Sequence, residues 1–404
     1  MEATLHIGET KPAFDRPPVS GLAASAALAV TLRSLEAAFV ERESAIRSLA
    51  CAFIAREHVL LLGPPGTGKT ELVRAVADAF VGGTFFPVLA TKFSTLEDFF
   101  GPLNVAEMKA GRYVRVTARR AWAAECVLVD EIFKGSSSIL NALLKLMQER
   151  RADNGGDVEV PLEVLVGCSN EYPESETLAA LFDRFAYRHW VEYITSPDKL
   201  AALLVNGGAT PVTALPDGAL DVLRAHAALV PFGEREARTL LAVKAAVEAE
   251  GFRPSDRTWV RCVKLLRAAA VVAGRDRITS SDYRTLADVL WAKHEDRARL
   301  LKTIGNAADP YGSRAEAIRD GIASALRELP EFSLLVSGQK NKIQMTDSVS
   351  KVSGKIAGEL DRARKIVDEA PDNDAAAEAL AAAEAALANV TAFSSKVLMY
   401  REAK

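Results

Sequence analysis

Gly63-Pro64-Pro65-Gly66-Thr67-Gly68-Lys69-Thr70 stands between a short β-type run, residues 58 to 62 (HVLLL), and a stretch with helical apolar spacing. Leu72, Val73, Val76 and Phe80 give that spacing. The eight residues fit GxxxxGK[ST] in the strand–turn–helix setting that the pattern requires. Its glycines let backbone N–H groups approach a phosphate chain closely, and the helix that follows points its positive end at them. Lys69 is expected to reach the β- and γ-phosphates of ATP, and Thr70 to offer its hydroxyl to the Mg²⁺ carried with the nucleotide. By average composition the bare pattern arises in roughly one chain of this length in a hundred, and the strand–helix context narrows that further.

Working outward, further apolar runs occur at 85–89, 126–129, 164–168 and 190–194, separated by helical segments such as 137–148. Strands alternating with helices predict an α/β fold, a parallel sheet between two layers of helices. Before the sheet, Leu32, Leu35, Phe39, Ile46, Leu49 and Phe53 recur at helical spacing between about 28 and 56. Turn glycines with short alternating flanks suggest hairpins at 101–117 and 152–161. After about residue 195 the β signal ends, and the rest is helical, alanine-rich and punctuated by Pro211, Pro231, Pro254 and Pro371. The expected organisation is an N-terminal arm over 1–27, a nucleotide-binding αβα domain over 28–195, an all-α domain over 196–300 and a helical hairpin or bundle over 301–404. In the last part, Val349, Val352, Ile356, Leu360, Ala363 and Val367 form one apolar stripe. Leu380, Ala383, Leu387, Val390 and Val397 form a second, and two such helices would pack antiparallel.

Beside a phosphate loop, the strand Cys126-Val-Leu-Val-Asp130-Glu131 gains a chemical reading. A carboxylate at the tip of a neighbouring strand can hold Mg²⁺ while the next one orients the attacking water, so Asp130 is assigned to the metal and Glu131 to the water. Asn170, ending the apolar run VLVGCSN, either holds that water against the γ-phosphate or is an ordinary turn asparagine. Arg184 in LFDRF either pairs with Asp183 or reaches a neighbouring subunit's γ-phosphate. Arg257, in a Ser-Asp-Arg opening a helix, either touches the phosphates or is a solvated first-turn arginine.

In this order, phosphate loop, Asp-Glu strand, Asn strand end, Asp-Arg-Phe and helical Ser-x-Arg, the chain resembles AAA+ ATPases. More finely it is similar to the MoxR family and its RavA-like branch, through residues 41–50 (ERESAIRSLA), 93–103 (FSTLEDFFGPL), 111–117 (GRYVRVT) and 130–150. Residues 255–266 (SDRTWVRCVKLL) resemble the lid of that family, and the likeness covers about 35 to 295. It implies that 196–300 is the lid, that 101–117 is an insert within the second helix, and that the lid is displaced. Arg257 then serves either its own site or a neighbour's. It also implies a homo-oligomer, expected as a hexameric ring, that hydrolyses ATP to remodel or mature a protein client. A partner with a von Willebrand type A domain is implied as well. RavA-like proteins can carry a small β-rich docking module in their C-terminal part; this chain has no such stretch, so its partners are not carried over. The rival readings are an ATP-gated assembly scaffold with little turnover and, less favoured, a nucleic-acid motor.

Composition excludes other classes. The chain has 404 residues, enough for two or three domains, with 49% hydrophobic and 25% charged residues. A net charge of −3 gives no global attraction to nucleic acid or anionic membrane. Lys109, Arg112, Arg115, Arg119 and Arg120 form a basic run that either lines a ring pore or is solvated surface. The five histidines are isolated, and no metal other than Mg²⁺ is expected. Cys51, Cys126, Cys168 and Cys262 lack metal-ligand spacing and are expected as free thiols in a reducing compartment. Residues 19–30 imitate a secretory apolar core, but the preceding stretch lacks the positive charge a signal needs. No other run approaches a membrane-spanning length, and a cytoplasmic location is expected.

Overall fold

The computed structural model describes residues 20–81, 83–173, 176–206, 210–337, 339, 341–371 and 373–400. Most of the expected N-terminal arm, residues 1–19, therefore lies outside the described residues. Its last part belongs to α1 (Gly21–Ala38), which begins seven residues before the apolar spacing becomes regular at Leu28. Ser20 caps it, its side chain accepting from the Ala23 N–H at 3.2 Å. The chain forms two compact units, one from residues 1–237 with 252–298 and one from 238–251 with 299–404.

The first unit continues with α2 (Glu43–Ala55), β1 (Val59–Leu62), α3 (Lys69–Phe80) and β2 (Phe85–Leu89). There follow α4 (Leu96–Phe100), α5 (Val105–Lys109), β3 (Cys126–Asp130) and α6 (Ser137–Glu149). A short hairpin, β4 (Arg151–Asp153) against β5 (Asp157–Glu159), precedes β6 (Val164–Ser169), α7 (Glu176–Phe182) and β7 (Tyr187–Trp190). The remaining helices of this part are α8 (Pro197–Asn206), α9 (Ala219–Leu229), α11 (Asp256–Val272), α12 (Ser280–Tyr283) and α13 (Ala287–Leu290), while α10 (Glu234–Ala249) belongs from residue 238 onward to the second unit.

Five strands make one parallel sheet in the order β2-β3-β6-β1-β7. Every residue of β1 and β6 is buried, as are the first four of β3. Their valine, leucine and cysteine runs fill both faces of central strands covered by helices, so no polar alternation is needed. Gly167 on β6 has no room for a side chain, since a Cβ there would lie 2.8 Å from the Phe185 ring. Two expectations shift. The strand expected at 190–194 lies at Tyr187–Trp190, because Phe185, Ala186 and Tyr187 supply the buried anchor. The hairpin expected at 101–117 is instead a loop closed by a single antiparallel bridge, Leu103 to Arg115, with α5 inside it. Asn104 starts that helix by accepting from Ala106 and Glu107, which diverts the backbone from a second ladder.

The insert also uses part of the basic run for its own structure. Arg115 Nη1 donates to the Gly101 carbonyl at 2.8 Å and Arg120 Nη1 to that of Asp98 at 3.1 Å. Arg112 pairs with Glu107 at 2.6 Å, and Trp122 stacks on Phe100 with ring centroids 4.8 Å apart. Lys109, Arg112 and Arg119 are the exposed members.

In the second unit, α14 (Arg297–Ala308) leads to α15 (Pro310–Arg327), α16 (Ser333–Val336), α17 (Lys342–Glu369) and α18 (Asp374–Met399). The expected pair of helices is present as α17 and α18, and α15 joins them as a third. Ile318 and Ile322 of α15 pack with Val352, Ile356 and Leu360 of α17 and with Ala379, Ala383 and Val390 of α18. The α17 stripe turns onto Ile366, leaving Val367 partly buried. Asp372, in the expected breaker, lies outside the described residues.

Candidate functional site

The sheet order brings the chemistry together. β6 lies between β1 and β3, so the loop after β1, the acids ending β3 and the residue after β6 share one edge of the sheet. The carboxyl ends of parallel strands at a change of strand order are where α/β folds bind ligands.

After β1 the chain turns at Gly63, whose φ of +141° and nearness to the Val191 carbonyl exclude a side chain; a Cβ would sit 2.2 Å from that oxygen. Gly66 and Gly68 follow at φ +76° and +75°, and α3 starts at Lys69. The Thr67 hydroxyl donates to the Pro64 carbonyl at 3.1 Å, closing the loop on itself. Lys69, 8% exposed, donates from Nζ to the carbonyls of Gly63 at 2.8 Å and Pro64 at 2.9 Å. Burial holds its ammonium pKa below the usual lysine value.

Lys69 Nζ also donates to Asn170 Oδ1 at 3.1 Å, and Asn170 Nδ2 donates to Glu131 Oε1 at 2.7 Å. The other Glu131 oxygen pairs with Lys134 at 3.2 Å. Glu131 adopts a left-handed backbone, φ 52°, uncommon for a residue with a side chain, and its N–H donates to Asp130 Oδ1 at 3.0 Å. The Thr70 hydroxyl donates to Asp130 Oδ2 at 3.4 Å. Lys69, Thr70, Asp130, Glu131 and Asn170 thus form one connected polar cluster, anchored by the loop Gly63–Gly68.

Arg184 and Arg257 lie elsewhere. Arg184 precedes β7, at the edge of the sheet opposite the loop. It pairs with Asp183 at 3.8 Å, as one reading expected, and its Nη2 donates to Gln148 Oε1 at 3.5 Å. Burial lowers its pKa, and next the charge of Arg257 does, so the two guanidinium groups are neighbours. Arg257 sits exposed in the first turn of α11, whose N-cap Ser255 donates from its hydroxyl to Asp183 Oδ1 at 3.4 Å. Arg261 Nη1 donates to the Asp183 carbonyl at 3.2 Å, fixing α11 to the same segment. Among the described residues, none of these partners belongs to the cluster around Lys69.

Among residues that the motif reading does not single out, Arg42 and Tyr193 hold the loop from behind and Glu41 holds the segment after β7. Arg42, 8% exposed, donates from Nη2 to the carbonyls of Thr67 at 3.2 Å and Glu192 at 2.8 Å. Glu41 accepts from the Thr195 and Ser196 N–H groups at 2.8 and 3.0 Å. The Tyr193 hydroxyl donates to the Pro65 carbonyl at 3.1 Å.

Comparison with known proteins agrees with this geometry. Residues 26–217 match a family described as the MoxR domain in MoxR-vWA-beta-propeller ternary systems, and residues 237–304 match an AAA lid domain. An uncharacterized protein of Methanocaldococcus jannaschii is 32% identical over 301 residues, covering 74% of this chain and 80% of that one. A protein of Mycobacterium tuberculosis named chaperone MoxR1 is 29% identical over 327 residues, covering 74% and 82%. Among solved structures, a Cytophaga hutchinsonii protein described as a candidate ATPase superposes with a TM-score of 0.58 at 20% identity, over 70% of this chain and 94% of that one.

Proposed function

Because the chain belongs to the MoxR family of AAA+ ATPases, we propose that it binds ATP at Gly63–Thr70 and hydrolyses it as one subunit of a hexameric ring. The observation that carries the reading is the unbroken relay from Lys69 through Asn170 to Glu131, with Thr70 against Asp130 beside it.

In this reading Gly63, Pro64, Pro65, Gly66, Thr67 and Gly68 shape the phosphate cradle, and Lys69 neutralises the β- and γ-phosphates. Thr70 and Asp130 present hard oxygens, the donor type Mg²⁺ takes alongside phosphate, and so fit that ion. Mg²⁺ supplies charge stabilisation at the phosphates. Glu131, held by Asn170 on one oxygen and Lys134 on the other, orients a water and takes up its proton. Asn170 links that water position to the lysine at the γ-phosphate. Arg184 and Arg257, together at the opposite sheet edge, act on a neighbouring subunit's nucleotide and not on their own. That arrangement requires a homo-oligomer whose interfaces run head to tail.

The proposed task is chaperone-like remodelling or maturation of a protein client. A partner with a von Willebrand type A domain is supported by the description of the matching family. The four residue stretches quoted above support the RavA-like branch. Residues 28–195 serve as the nucleotide-binding domain, 196–300 as the lid and 301–404 as a helical appendage. Cys51, Cys126, Cys168 and Cys262, buried as free thiols, support a cytoplasmic location. No helix of the described residues is long and apolar enough to cross a membrane. Steady-state phosphate release tests the reading: the wild type should release phosphate from ATP, and Lys69→Ala should not. Assembly on ATP without release would favour the scaffold instead, and release that depended on DNA or RNA would favour a nucleic-acid motor.

A further inference from the structure

Resting on the reading of Gly63–Thr70 as the ATP loop, we propose that Arg42 is a positioning residue that sets the loop's N–H groups for phosphate, with Tyr193 as its counterpart. The argument begins with the peptide plane. In a trans peptide the C=O and the following N–H point in opposite directions, and the described chain has no cis bonds. Holding the Thr67 oxygen therefore fixes where the Gly68 N–H points, and holding the Pro65 oxygen fixes the Gly66 N–H. Arg42 does the first, at 3.2 Å, and Tyr193 the second, at 3.1 Å.

These two peptides need the restraint most. Gly66 and Gly68 both sit near φ +75°, where glycine moves freely and a peptide plane can turn over at small cost. The carbonyls of Gly63 and Pro64 are held by Lys69, leaving those of Pro65 and Thr67 to outside donors. With the carbonyls drawn inward, the N–H groups of Gly66, Gly68, Lys69 and Thr70 face away from them. Among the described residues none of these four donates to a protein acceptor. They are the donors an oxyanion would take at a helix start.

Arg42 suits the task by chemistry and by place. Its planar fork reaches the Glu41 carbonyl with Nη1 at 2.8 Å, and Thr67 and Glu192 with Nη2, bridging three segments at once. Its charge lies behind the cradle, where it lowers the Lys69 pKa and adds to the attraction for phosphate. Glu41 completes the clamp by holding residues 195 and 196, so the segment after β7 and the loop are fixed to the start of α2 together.

The test is nucleotide affinity of the full-length chain, titrated with a fluorescent ATP analogue, alongside kcat and KM. Arg42→Ala should weaken binding about tenfold, the 1.4 kcal/mol of one charge-assisted hydrogen bond, and raise KM to match. Its kcat at saturating ATP should stay within about threefold, because Glu131 and Lys69 are untouched. Arg42→Lys keeps the charge but not the fork, so its affinity should fall between the two, and it serves if the alanine variant does not fold. Wild-type affinity in either folded variant, or a loss confined to kcat, would overturn the proposal. Lys69→Ala run in parallel separates the two claims. If it binds nucleotide normally, the loop assignment fails; if it does not bind while Arg42→Ala binds normally, only the Arg42 proposal fails.

Discussion

Replacing Arg184 by alanine leaves the nucleotide loop of the same chain intact and removes a charge from the far edge of the sheet. The register of β1 and β7 measures how far. Val59 pairs with Tyr187 and Leu62 with Trp190, three steps apart, which at about 3.3 Å per residue is roughly 10 Å of strand. Arg184 lies three residues before that paired stretch, and Lys69 lies seven residues beyond its other end. A guanidinium bonds phosphate at about 2.8 Å, so Arg184 cannot serve its own loop. In the proposed ring it acts on a neighbour, where loss of such an arginine costs about 10³ to 10⁵ in turnover. Arg184→Ala alone and Lys69→Ala alone should therefore both be nearly inactive, for different reasons. Mixed in equal amounts and reassembled, about a quarter of the head-to-tail interfaces join an intact loop to an intact arginine. Phosphate release should recover to about a quarter of the wild-type rate on mixing. Arg257→Ala should complement Lys69→Ala in the same way. Absence of any recovery, with mixed rings confirmed by mass, would refute the placement of these arginines across an interface.

Three further outcomes follow from particular residues. His58 is buried, accepts the Leu165 N–H at Nδ1 and donates from Nε2 to the Met147 carbonyl, and burial lowers its pKa from 6.5 to about 3. The neutral ring is the folded form, so its contribution is complete above about pH 6.5 and is lost as pH falls toward 3, by about 1.4 kcal/mol per pH unit. Denaturant titrations of wild type and His58→Gln between pH 7 and pH 4 should converge as the pH drops, and parallel curves would contradict the assignment. Gly63→Ala should lose nucleotide affinity while the fold survives, since a Cβ would meet the Val191 carbonyl at 2.2 Å; unchanged affinity would show that the turn adapts. Truncation at Ser337 should give aggregated protein, because it strips α17 and α18 from Ile318 and Ile322 of α15, whereas a stop at Asp309 removes the whole three-helix core. Light scattering that found the Ser337 stop monodisperse would count against the bundle.

The phosphate loop and central strands were legible because their signals are local: apolar runs buried on both faces, and glycines required by positive φ. The assignments of Lys69, Thr70, Asp130, Glu131 and Asn170 needed only strand order to become a cluster, and a parallel sheet supplies it. Arg42 gave no such signal. Its partners are carbonyls 25 and 150 residues away, and a backbone acceptor leaves no trace in residue identity. The strand near Trp190 starts earlier than expected because Phe185, Ala186 and Tyr187 are buried ahead of Val191, whereas Ile194 is only partly buried. The insert escaped for a similar reason, since Asn104 capping a single helical turn competes with the hairpin that Gly111 suggests.

The central claim is that Glu131 drives water onto ATP held by Lys69, Thr70 and Asp130. Single-turnover phosphate release by Glu131→Gln, measured beside its ATP affinity, tests it most directly. The account predicts binding close to wild type with release nearly abolished, because the glutamine oxygen keeps the bond to Asn170 while the proton acceptor, and with it the pair to Lys134, is lost. Release at the wild-type rate, or loss of binding together with release, would contradict it.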